Sequence, residues 1–234
     1  MAVLEFVDQH FLLLMLAIGT VLSCLWLAGQ RSRLGVSLPT SILLAVLHTL
    51  VGVVLVRVFA FLESGGENTG GMSLFGGVFF MPVLYAVMAN VLRKPFGQVA
   101  DVCVIPMVLT VMCARVNCLH AGCCYGLPIP GTDGMRWPTR EAEIVFYVVF
   151  AVIIGRKIAA GGMDGWGYPT YMAAYGVFRF VDEWFRDPGA GVAGLHMGHL
   201  WSVVACIIGL CIVWQLSSER AREIGKGKVA KRGK

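Results

Sequence analysis

The chain has 234 residues, of which 57% are hydrophobic and only 14% are charged, and its mean hydropathy is +0.75. This composition excludes an ordinary soluble domain and indicates an integral membrane protein. The net charge of +5 does not point to nucleic acid, because five basic residues crowd the last nine positions. That tail fits a cytoplasmic segment beside anionic lipid.

Apolar runs of membrane-spanning length recur along the whole chain. A helix needs roughly 20 apolar residues to cross a bilayer, so this length suits about seven crossings with short loops. The N-terminus has acidic and no basic residues before its apolar core, unlike a cleaved signal peptide, and we expect it to remain as the first helix. The predicted spans are 11–29, 37–62, 72–92, 99–119, 141–155, 166–185 and 198–216, in one polytopic domain (1–216) followed by a basic cytoplasmic tail (217–234).

The distribution of basic residues predicts which ends of these spans face the cytoplasm. With seven crossings, 13 of the 19 lysines and arginines fall on one side, and every lysine is among them. The positive-inside rule makes that side cytoplasmic. We therefore expect an external N-terminus, and an external loop after the fourth span. The basic residues on the cytoplasmic side are Arg31, Arg33, Arg93, Lys94, Arg156, Lys157 and the seven of the tail.

Ionisable residues within the spans predict a functional site. Arg115 lies in the fourth span, and Arg179, Asp182 and Glu183 lie in the sixth. A charge at membrane depth costs several kcal/mol unless it meets a partner or a water-filled cavity. Guanidinium groups grip phosphate with paired donors, so we expect both stretches to face one pocket for a phospholipid head group. A static ion pair is the alternative, with Arg115 on Glu183, or Arg179 on Asp182 or Glu183.

The stretch after the fourth span contains four possible soft-metal ligands within seven positions, namely Cys118, His120, Cys123 and Cys124. Their spacing is not a familiar zinc pattern, and adjacent cysteines bind one ion only with strain. A disulfide from Cys118 to one of the pair, or simple packing, is favoured. We therefore expect no metal and no cofactor.

Adjacent glycines open the third span at Gly76 and Gly77, in the sequence SLFGG. The missing side chains permit close approach by a neighbouring helix or by a ligand. The sequence leaves both interpretations open.

Taken together, GGMSLFGG, ARVNCLHAGCCYGLP, RWPTREAE, YGVFRFVDEWFRDP and HMGHLWS resemble the ordered motifs of the prolipoprotein diacylglyceryl transferase family. The resemblance covers about residues 70–203. It includes an arginine followed by a Gly-rich loop ending in aromatic-Gly, and a later RFxxExxR element. These elements are Arg115 with Gly122, Tyr125 and Gly126, and Arg179 with Phe180, Glu183 and Arg186.

The resemblance implies an enzyme of the bacterial cytoplasmic membrane with its active site toward the outer leaflet. Such enzymes move the diacylglyceryl group of phosphatidylglycerol to the lipobox cysteine thiol of a prelipoprotein and release glycerol phosphate. Arg115 and Arg179 would then hold the phosphate and Glu183 would orient an arginine or the head group. Our candidate catalytic residues are Arg115, Arg179, Glu183 and His120, and our candidate substrate-binding residues are Gly76, Gly77, Gly122, Tyr125, Gly126, Arg186 and His199.

The chain departs from the family pattern at positions that handle protons. Typical members carry histidine where this chain has Phe75, asparagine where it has Cys118, and His-Pro where it has Trp137-Pro138. His120, His196 or His199 are the candidates to take over. Two alternatives therefore stay open: transfer of a lipid-derived group to another acceptor, and a non-catalytic lipid- or metal-binding membrane protein.

Overall fold

A computed structural model of the chain describes residues 9–67, 71–186, 191–192 and 195–232, and side chains only within 9–67, 71–186 and 195–223. The described residues form seven helices and one two-stranded antiparallel hairpin. The helices are α1 (Phe11–Leu34), α2 (Leu38–Glu63), α3 (Phe75–Leu92), α4 (Phe96–His120), α5 (Thr139–Ala159), α6 (Gly167–Glu183) and α7 (Met197–Arg232), and the hairpin strands are β1 (Gly191–Val192) and β2 (Leu195–His196).

The chain is an all-α membrane protein, as the sequence predicts. Five of the described helices, α1, α2, α3, α4 and α7, are long and apolar enough to cross a membrane. Helices α5 and α6 carry the buried residues Glu143, Asp182 and Glu183 and pack against other helices of the bundle. Every helix begins within three residues of its predicted start.

Helices α1, α5 and α7 run four or more residues beyond their predicted ends. Helix α1 continues past Gly29 with Gln30 buried, and it stops at Gly35, whose φ of 70° suits a glycine cap. The amide of Gly35 donates to the carbonyl of Ser32. Helix α7 continues without a break to Arg232, so positions 217–232 of the predicted tail extend the last helix.

Helix α4 lies at the centre of the bundle, in contact with α1, α2, α3, α5 and α6. Its residues 99–108 are all buried. Large aromatic side chains fill the space beside it, with the rings of Tyr171 and Tyr175 stacked 5.6 Å apart. Arg115, near the C-terminal end of α4, is therefore surrounded by helices.

One buried carboxylate, that of Asp101 in α4, fixes the start of α6. Its two oxygens accept hydrogen bonds from the backbone amides of Gly165 at 2.7 Å and Gly167 at 2.6 Å. Asp101 is fully buried, and Gly167 is the first residue of α6, whose amide a helix leaves without an internal partner. The N-terminal end of α6 is thus attached to α4.

Candidate functional site

Arg115 forms a buried ion pair with Glu143, a residue of α5. The Nε atom of Arg115 lies 2.8 Å from Oε2 of Glu143, and its Nη2 atom donates to Oε1 at 3.1 Å. The side chain of Glu143 is 0% exposed. The Nη2 contact is a charge-assisted hydrogen bond, and the Nε contact adds close attraction between opposite charges.

The ion pair continues into a chain of alternating charges that reaches α6. Arg186 donates from Nη2 to Glu143 at 2.6 Å and from Nε to Asp182 at 2.8 Å. Arg179 contacts Asp182 at 2.9 Å and Glu183 at 2.7 Å. The cluster contains as many arginines as carboxylates, so its formal charges balance. Side-chain contacts thus join the two charged stretches, and that both of them face one pocket stays a prediction.

Glu143 holds the centre of this chain. The hydroxyls of Tyr147 and Tyr175 donate to its Oε1 atom at 3.1 and 3.2 Å. Two guanidinium groups and two hydroxyls therefore surround one carboxylate, which satisfies a charge that would otherwise be costly to bury.

Sequence reasoning did not select Glu143, and the ion-pair alternative named Glu183 as the partner of Arg115. In the structure Arg115 contacts Glu143, while Glu183 contacts Arg179 on its own helix. The signal was present, because Glu143 is an ionisable residue within a predicted span, the criterion that selected Arg115. Its place next to Arg140 and Glu141 made it resemble the polar end of a helix.

Arg115 also lines a cavity of about 250 Å³ formed by α1, α2, α3, α4 and the loop after α4. Most of the wall is apolar, including Leu16, Val56 and Met107, whereas Asn117 and the cysteine loop supply polar groups near Arg115. An apolar cavity with a few convergent polar groups is the usual form of a small-molecule site. This one suits an amphipathic ligand whose charged group reaches the arginine.

Three thiols converge on the wall of this cavity. The Sγ atoms of Cys118, Cys123 and Cys124 all lie within 4.8 Å of one another. The chain turns sharply to achieve this, with left-handed backbone at Gly122 (φ 61°) and at Cys124 (φ 57°). All eight cysteines fall within the described residues, and each is a free thiol.

Arg140 of α5 holds the cysteine loop in place. Its Nη1 atom donates to the carbonyls of Cys118 at 3.2 Å and Cys123 at 3.3 Å, and its guanidinium lies 4.2 Å from the ring centre of Tyr125. The hydroxyl of Thr139 reaches the carbonyl of Cys124 at 3.5 Å. These contacts hold the loop through backbone carbonyls and the ring of Tyr125, and none of them uses a sulfur atom.

The thiol of Cys124, in the loop outside the helices, has its pKa lowered to about 5. The hydrogen bond with Cys118 is the main cause, and the positive charges of Arg115 and Arg186 act in the same direction, against the effect of burial. The pKa of Cys123 moves the other way and is raised, chiefly by burial. Of the two adjacent cysteines, Cys124 is thus the one whose surroundings favour the thiolate form.

The loop after α4 is also attached to the segment that follows α6. The amide of Leu127 donates to the carbonyl of Phe185 at 2.7 Å, and Gly126 pairs with Arg186. A Cβ at Gly126 would collide with the carbonyl of Trp137 and lie 2.9 Å from that of Phe185. Only glycine fits this crossing.

The other predicted site residues fall in several places. Gly77 lines the cavity, whereas Gly76 packs against α2, where a Cβ would lie 2.7 Å from the Cα of Val56.

His120 stacks on Phe11 at 3.9 Å between ring centres. His199 is buried at the start of α7, where it accepts a hydrogen bond from the amide of His196. Tyr125 is partly exposed, with its ring under the guanidinium of Arg140. A Cβ added to Gly122 would lie 2.9 Å from the hydroxyl of Tyr125.

Comparison of the sequence with known proteins identifies a family and several relatives of the chain. Residues 7–215 match the family described as "Prolipoprotein diacylglyceryl transferase". The chain is 28% identical to the phosphatidylglycerol--prolipoprotein diacylglyceryl transferases of Geobacter sulfurreducens over 170 residues and of Leptothrix cholodnii over 178 residues. In both comparisons the match covers 64% of this chain and spans about 64% of the relative's length. The protein of the same name from Vibrio cholerae is 28% identical over 166 residues, which are 62% of this chain and 59% of that protein.

Proposed function

Because the chain belongs to the prolipoprotein diacylglyceryl transferase family, we propose that it moves the diacylglyceryl group of phosphatidylglycerol to the lipobox cysteine thiol of a prelipoprotein. The names of its relatives supply both substrates. The proposed location is the bacterial cytoplasmic membrane, with the cavity toward the outer leaflet. The positive-inside distribution of lysine and arginine supports that orientation.

The observation that carries the proposal is the placement of the Arg115 guanidinium. Its Nε and Nη2 atoms contact Glu143. Within the described residues, its Nη1 atom donates a weak hydrogen bond to the Sγ atom of Cys118, at 3.9 Å. Arg115 thus keeps donor capacity beside the cavity. A phosphate diester entering the cavity would meet a cation already fixed in direction by a buried carboxylate.

The chemistry requires such a fixed cation. The acceptor sulfur, after losing its proton, attacks the glyceryl carbon, and the bond between that carbon and the phosphate oxygen breaks. The electron pair leaves with glycerol phosphate, so negative charge increases on the departing group. A fixed guanidinium stabilises charge that develops in this way.

We assign supporting roles to the rest of the charge chain. Glu183 and Asp182 hold Arg179, and Arg186 links Asp182 to Glu143. We expect Arg179 to reach the phosphate by exchanging one of its carboxylate partners for the ligand. Gly77 belongs to the lining of the same cavity, and its small size leaves room for the acyl or glyceryl part of the lipid.

A second candidate is a lipid- or metal-binding protein without transferase activity. Two observations favour it: the charges of the ion-pair chain balance without a ligand, and the thiol cluster is a possible metal site. An inactive binder would tolerate Glu183→Gln, whereas the transferase would lose turnover, because Arg179 would lose one of its two partners.

The deciding experiment combines a cell assay with a purified one. The chain is expressed in bacteria depleted of their own diacylglyceryl transferase, and growth and lipoprotein modification are scored. The purified protein is then incubated with phosphatidylglycerol and a lipobox peptide, and peptide lipidation is measured by mass spectrometry. Lipidation that disappears in Arg115→Ala supports the proposal, and a folded protein that lipidates no peptide and releases no glycerol phosphate rejects it.

A further inference from the structure

We propose that Cys118, Cys123 and Cys124 bind one Zn²⁺ ion as three thiolates, with the fourth coordination position open to the cavity for the thiol of the acceptor. The metal site follows from the arrangement of the three cysteines alone. The identity of the fourth ligand rests on the proposed transfer to a thiol.

The spacing of the sulfurs suits a metal ion better than a disulfide. A zinc–sulfur bond is about 2.3 Å, so three sulfurs of a tetrahedral site lie ~3.8 Å apart. The three Sγ atoms lie within 4.8 Å of one another, and a contraction of about 1 Å or less would complete the site. A disulfide needs a separation of about 2.05 Å between two sulfurs and would leave the third unused.

The loop is already shaped for this purpose. Adjacent cysteines normally point apart, and the left-handed backbone at Cys124 turns its side chain to the same side as Cys123. Such backbone is unfavourable at a residue other than glycine and persists where the surrounding structure holds it. The hydrogen bonds from Arg140 to the carbonyls of Cys118 and Cys123 hold the loop in that shape.

Charge and ligand chemistry favour Zn²⁺. Sulfur ligands select Zn²⁺ and Cu⁺ over Mg²⁺ or Ca²⁺. Three thiolates with Zn²⁺ leave a single negative charge, whereas three thiolates with Cu⁺ leave two. The guanidinium groups of Arg115 and Arg140 both lie at this loop, but each is already paired with a carboxylate, Glu143 or Glu141. The single negative charge of a Zn²⁺ site is therefore the easier one to balance.

The position of the cluster gives the site its role. All three cysteines line the cavity that Arg115 also lines. Three protein ligands with a fourth position left open are typical of a catalytic zinc site. A thiol that coordinates Zn²⁺ loses its proton, so an acceptor thiol in this position would become the nucleophile, with its proton released to water. The only histidine on the cavity wall, within the described residues, is His48, whose Nε2 atom lies 3.1 Å from the hydroxyl of Tyr85.

Cobalt substitution tests the metal site. The full chain, purified in detergent and reduced with a phosphine, is titrated with Co²⁺, which reports sulfur ligands by an intense charge-transfer absorption. We expect one Co²⁺ per chain, displaced by Zn²⁺. The band should disappear in Cys118→Ser, Cys123→Ser and Cys124→Ser, and persist in the control Cys211→Ser, which changes an exposed cysteine of α7.

Thermal unfolding of each variant separates loss of the site from loss of the fold. Cys124→Ser changes an exposed side chain and should unfold normally in the metal-free state. The proposed metal site is wrong if the reduced parent protein shows no cobalt band. It is also wrong if Cys124→Ser shows a band as strong as that of the parent protein. A Cys118 disulfide that resists the phosphine would also overturn it.

A second titration tests the fourth ligand. A lipobox peptide should shift the spectrum of the cobalt protein, while the same peptide with serine in place of cysteine should not. If cobalt binds but neither peptide shifts the spectrum, the metal site stands and thiol coordination is wrong. If peptide lipidation fails while the cysteine peptide shifts the spectrum, the proposed transfer is wrong and the ligand assignment stands.

Discussion

The carboxylate of Glu143 joins Arg115 to Arg186. Its Oε2 atom lies 2.8 Å from Nε of Arg115 and 2.6 Å from Nη2 of Arg186. Because these arginines come from different parts of the chain, one side chain of α5 determines how the end of α4 and the segment after α6 are placed relative to each other.

Replacing Glu143 should therefore cost both stability and activity. Glu143→Gln leaves two buried guanidinium groups without a full counter-charge, and breaking a buried pair in this way costs about 3–5 kcal/mol. Unfolding in detergent and peptide lipidation should both show the loss. Glu141→Gln is the matched control on the same helix, since its ion pair with Arg140 is long, at 3.6 Å, and half exposed, and such pairs contribute at most about 1 kcal/mol. Equal effects of the two changes would contradict the central role of Glu143.

Lysine should not replace Arg115. The native side chain contacts Glu143 through two nitrogen atoms and keeps its third beside the cavity, whereas an ammonium group has a single nitrogen and no planar fork. We expect Arg115→Lys to insert normally and to lose at least about tenfold in turnover, a difference of ~1.4 kcal/mol in barrier height. Near-normal lipidation by this variant would show that Arg115 does not bind the phosphate as proposed.

The cysteine loop should lie outside the cytoplasm. Gly131 is at its tip, and a Cβ placed there would meet nothing within 4 Å, so an insertion at this position should be accommodated. A reporter that works only in the cytoplasm should be inactive at Gly131 and active when fused after Lys234. The reverse pattern would move the cavity to the inner leaflet and refute the orientation that we propose.

Alkylation of Cys124 should continue at acidic pH. An ordinary thiol has a pKa near 8.5, so its thiolate fraction falls about tenfold for each pH unit below that value. Cys124, with its pKa lowered to about 5, should react with iodoacetamide at a nearly constant rate between about pH 8 and 6 in metal-free protein. Cys118→Ala removes the main cause and should move the midpoint upward. Mass spectrometry locates the label, and an unchanged midpoint would exclude the Cys118 hydrogen bond as the cause.

Gly126→Ala should destabilise the docking of the loop. The added methyl group would overlap the carbonyl of Trp137 and crowd that of Phe185, and overpacking of this kind typically costs about 1–3 kcal/mol. Gly29→Ala is the control, because nothing lies within 4 Å of its Cβ position. Limited proteolysis should cut the loop faster in Gly126→Ala than in Gly29→Ala. Equal rates would show that the crossing tolerates a side chain.

The helices could be predicted closely because their limits are set by local properties of the sequence. Apolar length, glycine and clustered basic residues place each start within three positions of the structure. Arg115, Arg179 and Glu183 could be selected because charge within a membrane-length segment is costly wherever it lies. These inferences need no knowledge of which helices are neighbours.

The contacts of the site could not be predicted in the same way. The pairing of Arg115 with Glu143 depends on how α4 and α5 pack, and the spacing of residues carries no information on that. The convergence of Cys118, Cys123 and Cys124 depends on the left-handed turn at Gly122 and Cys124. Residues other than glycine rarely adopt such backbone, and the sequence therefore indicated that adjacent cysteines bind one ion only with strain.

Helix α6 is attached at both of its ends, by Asp101 at its start and by the contact of Phe185 with Leu127 just beyond its end. Its 17 residues span about 26 Å. A shift of the helix along its own axis would break the contacts at both ends at once. Arg179 and Arg186 should therefore stay in register with Glu143 even when the other helices adjust to a bilayer of different thickness.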